Sequence, residues 1–283
     1  MLEIIKQGEG LYDPDSIEKS DSKLCLIDAD SLLYYCMGEE TFEDCKIKLD
    51  NFILNILETC KTHRYVAFMT PYETFRRKIG VTKPYKGNRK GKKIPPVFYG
   101  LKAYAEQEWD FTSVKGIEAD DCVGIYGSML KDQEVVICSP DKDVILQVPG
   151  LHYNYQKNEW VNNNVESAWH FLWMQVLAGD SVDGVPGIPG IGMKKAEAAF
   201  EGVPKEKFPV RALDMYLEKI KVEDDSKFDQ SAVKLKVDKF KETLDLVYML
   251  KTEKDLSSYG IELPELQINN VLEKWEEETQ SSL

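Results

Sequence analysis

Lys23-Leu24-Cys25-Leu26-Ile27-Asp28 is a short apolar run that ends abruptly on a carboxylate. Four consecutive apolar residues without polar alternation predict a strand buried on both faces, as inside a parallel sheet. Arg64 to Met69 reads as a second such strand and Glu134 to Ser139 as a third. Ser31 to Met37, Cys45 to Thr62 and Val97 to Trp109 carry helical patterns between them. Strands alternating with helices predict an α/β fold around a mostly parallel central sheet. Ligands of such sheets bind beyond the carboxyl ends of the strands, and Asp28, Asp141 and Asp143 fall there.

The stretch Lys115-Gly-Ile-Glu118-Ala-Asp120-Asp121-Cys-Val123 precedes the third strand and puts three carboxylates at the start of a helix. Acidic residues suit a helix N-terminus, where free N–H groups and the macrodipole favour negative charge. Glu118 and Asp121, however, share a face at i and i+3. Like charges held together need a cation or a proton to offset them, and Mg²⁺ is such a cation.

The whole chain sets bounds on these readings. Its 283 residues suffice for one large domain or two smaller ones. Apolar content of 43% and charged content of 30% fit a soluble globular protein. No run is suited to span a bilayer, and no signal-peptide pattern opens the chain. Six cysteines without ligand spacing and three solitary histidines give little support to zinc or a Ser-His triad. Reduced thiols in a cytoplasmic protein are the expectation. A net charge of −13 argues against a nucleic-acid partner, but nine Lys or Arg and no acid lie between Arg76 and Lys93. Glycines and a proline break this segment, so no single long helix is expected. Phe75 and Tyr85 are interleaved in it as stacking surfaces for a nucleic-acid contact.

Leu151 to Val161 reads as a hairpin, and Ala168 to Leu177 as a helix. The helix leads into Gly179-Asp180-Ser-Val-Asp183-Gly-Val-Pro-Gly-Ile-Pro-Gly190-Ile-Gly192-Met-Lys194-Lys195, with a further helix over Ala196 to Phe200. Glycines let backbone N–H groups approach a phosphate, and the two lysines stand at a helix N-terminus. Further helices are expected over Arg211 to Ile220 and Val237 to Lys251, with an acidic linker at Glu223 to Asp225 and fraying over the last fourteen residues. The division expected is a lead-in over 1–22, an α/β core over 23–165 with a basic arch at about 74–109, and a helical region over 166–283. Carboxylates at several element boundaries, almost without His or Cys, point to Mg²⁺ or Mn²⁺ and to phosphodiester chemistry through two metals.

By motif order and spacing, Leu24 to Phe200 resembles the 5′-nucleases: flap endonucleases, the 5′-nuclease domain of bacterial DNA polymerase I, and phage-encoded 5′–3′ exonucleases. Asp28 matches the family's first strand-end aspartate, and Tyr85, Lys86 and Arg89 match its Tyr-Lys-x-x-Arg arch. Glu118, Ala119, Asp120 and Asp121 match its Glu-Ala-Asp-Asp, and Ser139, Asp141 and Asp143 its Ser-x-Asp-x-Asp. Asp180 and Asp183, with Gly190 to Lys194, match its Gly-Asp-x-x-Asp and helix-three-turn-helix. The resemblance implies a Mg²⁺-dependent 5′–3′ exonuclease or flap endonuclease with two Mg²⁺ or Mn²⁺ ions. Asp28, Glu118, Asp120 and Asp141 would hold one ion, and Asp121, Asp143, Asp180 and Asp183 would hold or orient the other. Lys86 and Arg89 would steer and polarise the scissile phosphate. Tyr85, Gly190, Gly192, Lys194 and Lys195 would join them in contacting DNA, with K⁺ at the hairpin. The partner implied is DNA with a 5′ end or flap and adjoining duplex, RNA-primed or RNA–DNA hybrid substrates included. The protein would act as a monomer in replication or repair in a bacterial or phage-infected cell. Two alternatives are a non-catalytic DNA-structure-binding relative and a metal-dependent RNA nuclease. Two departures from the pattern stand out. The family's aspartate at the end of the second strand is replaced by Met69 or Thr70, and a common arginine by Tyr35. Asp30 either caps the helix at Ser31 or supplies the carboxylate that is missing.

Overall fold

Leu24 to Ile27 are completely buried, and the strand that carries them is paired along both edges. The computed structural model describes residues 20, 22–89, 91, 93–130, 133–221 and 230–273. The main sheet contains β1 (Lys23–Asp28), β2 (Arg64–Phe68), β3 (Glu134–Cys138), β4 (Gly150–Asn154), β5 (Glu159–Asn163) and β8 (Asn269–Asn270). Its order is β5-β4-β3-β1-β2-β8, with β2, β1, β3 and β4 parallel and the two outer strands antiparallel. The predicted mostly parallel sheet is therefore present. β2 and β3 each stop one residue before the expected end, and β4–β5 is the expected hairpin.

Helices cover both faces, which is why β1 is apolar at every interior position. Cys25 and Ile27 point towards α1 (Asp30–Cys36), α2 (Phe42–Cys60) and α4 (Pro96–Glu108). Leu24 and Leu26 point towards α5 (Ala119–Met129) and α6 (Lys142–Gln147). Thr41 caps α2 by accepting the Asp44 N–H at 3.1 Å. Pro96, which has no N–H to leave unpaired, suits the first turn of α4. The basic segment is broken, as its glycines and proline require, into α3 (Arg76–Ile79), a 3₁₀ turn at Gly87–Arg89, and α4.

A third apolar cluster joins α7 (Val165–Ala178), α8 (Met193–Phe200), α9 (Phe208–Lys219) and α10 (Gln230–Val247). After α10 the chain returns to the sheet: Met249, Leu250 and Leu256 of α11 (Glu253–Ser257) pack in the α5 layer. β8 then pairs with Arg64 and Tyr65. The expected fraying of the last fourteen residues thus fails at Asn270–Val271, because Val271 is buried in the core. Residues 274–283, most of the lead-in and the acidic linker lie outside the described residues. Among the described residues no helix is long and apolar enough to cross a membrane. All six cysteines are free and buried. Cys25, Cys60 and Cys138, on three different elements, bring their sulfur atoms within 4.8 Å of one another, a grouping that no local spacing could reveal.

Candidate active site

A cavity of about 210 Å³ opens beyond the carboxyl ends of the parallel strands. Seven aspartates line it: Asp28, Asp30, Asp120, Asp141, Asp143, Asp180 and Asp183. Asp28 ends β1, Asp30 begins α1, and Asp141 caps α6 by accepting the Asp143 N–H at 2.7 Å. The turn between β6 (Gly179–Asp180) and β7 (Val185–Pro186) presents Asp180 and Asp183. Gly179 has φ +73°, and a Cβ there would meet Gly187 N at 2.2 Å, so only glycine permits this turn. The first turn of α5 reaches the same rim because α5 runs back over the sheet before β3. Ala119 N–H donates to Thr70 Oγ1 at 3.0 Å and ties it to the end of β2.

The site holds more negative charge than its surroundings neutralise. Burial, then the charges of Asp30 and Asp141, push the Asp28 carboxyl up to about 7. Burial, then Asp141 and Asp180, do the same to Asp143, also to about 7. Burial beside Asp121 and Glu118 drives Asp120 well above the usual carboxylate range. Asp143 Oδ1 is buried without a hydrogen-bond partner among the described residues, the Lys142 ammonium standing 4.0 Å away. An orphaned carboxylate oxygen among like charges fits a hard divalent cation with oxygen ligands. The same shifts predict a pH dependence. Folded pKa values above the unfolded value of about 3.9 mean that the native state binds more protons across the interval. Stability from Asp28 and Asp143 is therefore present at low pH and lost as pH rises towards about 7. In EDTA, the Asp28→Asn/Asp143→Asn protein should gain in melting temperature on the parent as pH rises from about 5 to about 7. A difference independent of pH would contradict the assignment.

Glu118 and Asp121 stand apart from the other carboxylates. Neither lines the cavity, and the cation between them is Arg76, not a metal. Arg76 is 2% exposed. Its guanidinium grips both Asp121 oxygens, Nη2 reaching Oδ1 at 2.8 Å, and also donates to Glu118 at 3.2 Å. Asp121 accepts the Leu250 N–H as well, at 3.0 Å. With its oxygens so engaged, Asp121 is a buried partner of Arg76, a place that suits orienting the ion site more than holding an ion. Chain position alone groups Arg76 with the DNA-facing cations; the apolar Phe75 and Ile79 beside it are the available sign of burial.

The arch closes directly onto the acidic rim. Tyr85 Oη lies 2.8 Å from a Glu118 oxygen and 3.0 Å from an Asp183 oxygen, so its single proton is shared between them or given to one. Lys86 Nζ donates to Glu118 at 2.7 Å and lies 3.7 Å from Asp183, while Arg89 reaches Asp183 at 2.9 Å. Lys86 holds a left-handed backbone (φ 52°), with its N–H on the Asp183 carbonyl at 2.8 Å. Neighbouring Glu118, Asp120 and Asp183 raise the Lys86 pKa despite burial, so it stays charged. Tyr85 and Phe75 are buried, and Phe75 stacks on Tyr259 at 4.0 Å. Phe75 is thus packed inside the protein, while Tyr85, though largely buried, lines the cavity. Lys90 and Lys92 lie outside the described residues.

Strand parity decides the departure at the end of β2. Met69 is buried in the α1–α2 layer, whereas Thr70 lines the cavity. Asp30 is not a cap: the N-cap of α1 is Ala29, and no side chain caps it. Asp30 Oδ1 instead accepts the Thr70 N–H at 2.9 Å. The glycine-rich hairpin is exposed at Gly190, Gly192, Lys194 and Lys195. Gly190 has φ +79° with open space around it, and Gly192 is the N-cap of α8. Lys195 Nζ folds back onto the Gly190 carbonyl at 2.9 Å.

A family model described as "5′-3′ exonuclease, N-terminal resolvase-like domain" matches residues 23–169. The chain is 34% identical over 154 residues to DNA polymerase I of Rhizobium leguminosarum, across 50% of this chain and 15% of that protein. It is 30% identical over 147 residues to the 5′-3′ exonuclease of Buchnera aphidicola subsp. Acyrthosiphon pisum, across 46% of this chain and 50% of that one. The match therefore spans half or less of each of these relatives. A T5 protein co-crystallised with metal ions has a TM-score of 0.58 at 16% identity, over 80% of this chain and 89% of that one. A bacteriophage T5 flap endonuclease in complex with DNA and metal ions has a TM-score of 0.55 at 16% identity, over 80% and 88%. At such identity the likeness is one of fold.

Proposed function

The chain belongs to the 5′-3′ exonuclease family, and from that premise we propose that it hydrolyses phosphodiester bonds in DNA carrying a free 5′ end or a 5′ flap. The observation that carries this reading is the convergence of seven aspartates from five chain segments on one cavity, with Lys86 and Arg89 reaching into its rim. Asp28, Asp120 and Asp141 would hold one divalent ion, joined by Glu118 when Lys86 leaves it. Asp143, Asp180 and Asp183 would hold a second. Two Mg²⁺ or Mn²⁺ ions supply polarisation of the attacking water and charge neutralisation at the leaving oxygen.

The remaining work falls to the protein's own groups. Lys86 exchanges Glu118 and Asp183 for the scissile phosphate, and Arg89 steers the same group. Arg76 fixes Asp121, and through it the start of α5, so that Asp120 keeps its place at the rim. Exposed backbone at Gly190 and Gly192 and the ammonium groups of Lys194 and Lys195 grip the adjoining duplex without reading its sequence, with K⁺ at the hairpin part of the same reading. This implies a division of labour near residue 165, chemistry before it and duplex grip after it.

Cleavage of a 5′-flap duplex labelled at each end, with and without Mg²⁺, tests the proposal; an RNA-primed version tests the strand type. Mg²⁺-dependent release from the 5′ side is the expected result, and binding without turnover would leave a DNA-structure-binding protein. Lys194→Ala with Lys195→Ala should flatten the slope of log K against log salt by about 0.9 for each phosphate no longer neutralised. An unchanged slope in a filter-binding series would remove these lysines from the interface.

A further inference from the structure

We infer that Asp30 supplies, from the start of α1, the cavity carboxylate that the end of β2 lacks. The inference rests on the two-ion reading above and names a residue that this reading does not assign. β1 and β2 run parallel with Asp28 opposite Phe68. Just past the paired residues, Asp30 at the start of α1 accepts the Thr70 N–H at 2.9 Å. Thr70 is the β2-end residue that faces the cavity; Met69 is packed in the core. The Asp30 carboxylate thus stands in front of the position from which a β2-end carboxylate would enter.

Helix capping does not account for an acid at position 30, whose local partners are the first turn of α1 and the Thr70 N–H. The N-cap of α1 is Ala29, so the carboxylate closes no helix end. Asp30 lines the same cavity as Asp28, Asp120 and Asp141. One oxygen holds the Thr70 N–H, and the other makes no hydrogen bond among the described residues. Thr70 in turn spends its hydroxyl on Ala119 N–H, which places α5.

The test is Mn²⁺ binding to the full chain, followed by electron paramagnetic resonance. Asp30→Asn keeps an oxygen for the Thr70 N–H and removes only the charge. It should weaken Mn²⁺ binding and change the Mn²⁺ resonance spectrum of the bound ion, and adding Thr70→Asp to that variant should restore both. A purely positioning role predicts parent-like binding by Asp30→Asn. If Asp30→Asn binds like the parent while Asp28→Asn binds weakly, the inference is overturned and the two-ion reading stands. If the parent binds no Mn²⁺, both fall. Should Asp30→Asn fail to fold, Asp30→Thr/Thr70→Asp decides alone: parent-like Mn²⁺ binding by this swap supports the inference, and its loss in a folded swap overturns it.

Discussion

Replacing Asp141 and Asp143 together by Asn is expected to lower 5′-end cleavage about a thousand-fold, a loss of roughly 4 kcal/mol of transition-state stabilisation. Asp141 and Asp143 are assigned one to each proposed ion, Asp141 caps α6, and Asp143 Oδ1 makes no hydrogen bond among the described residues. Asn retains an acceptor for the Asp143 N–H, so the cap survives and the change falls on charge. Binding of flap DNA should stay within several-fold of the parent, since neither residue belongs to the exposed hairpin or the arch. It should tighten where repulsion between carboxylate and phosphate is relieved. Single-turnover cleavage and equilibrium binding separate the two effects. Near-parent turnover in the double variant would remove these aspartates from the chemistry.

Arg76→Met is expected to cost about 3–5 kcal/mol of folding stability. The guanidinium is almost wholly buried and makes bonds to Asp121, to Glu118, and to the Leu246 carbonyl at 3.2 Å. Removing it strands the buried Asp121 carboxylate at the base of α5, while Glu118 keeps Tyr85 and Lys86, and stranding a charge is the costly way to break such a group. Urea unfolding reads the loss. Arg76→Met with Asp121→Asn removes the stranded charge and keeps an acceptor for the Leu250 N–H. It should therefore recover a large share of the midpoint. If the single variant unfolds at the parent's midpoint, Arg76 does not hold this region together. If the double variant is worse than the single one, the stranded charge is not the cause.

Much of this architecture is local in origin. The runs Leu24–Ile27 and Val135–Cys138 are apolar at every position because their strands are covered on both faces, and such runs are visible without coordinates. Asp28, Asp141 and Asp143 follow those runs directly, so their place at the sheet's carboxyl edge could be read from the chain. The break-up of the basic segment was legible too, because glycine and proline act on their own backbone.

What local pattern could not decide was which charges meet. Arg76 is 45 residues from Asp121, and only the fold makes it a buried counter-ion instead of one more arch cation. Phe75 looks like a stacking surface in a basic loop until packing turns it inwards. Whether Met69 or Thr70 faces the cavity depends on strand parity at a strand end. The partnership of Asp30 with Thr70 depends on the β1–β2 register. Propensity and hydrophobic period belong to neighbours in the chain, whereas the pairing of buried charges belongs to neighbours in space, and for this protein those are set by how one strand lies beside another.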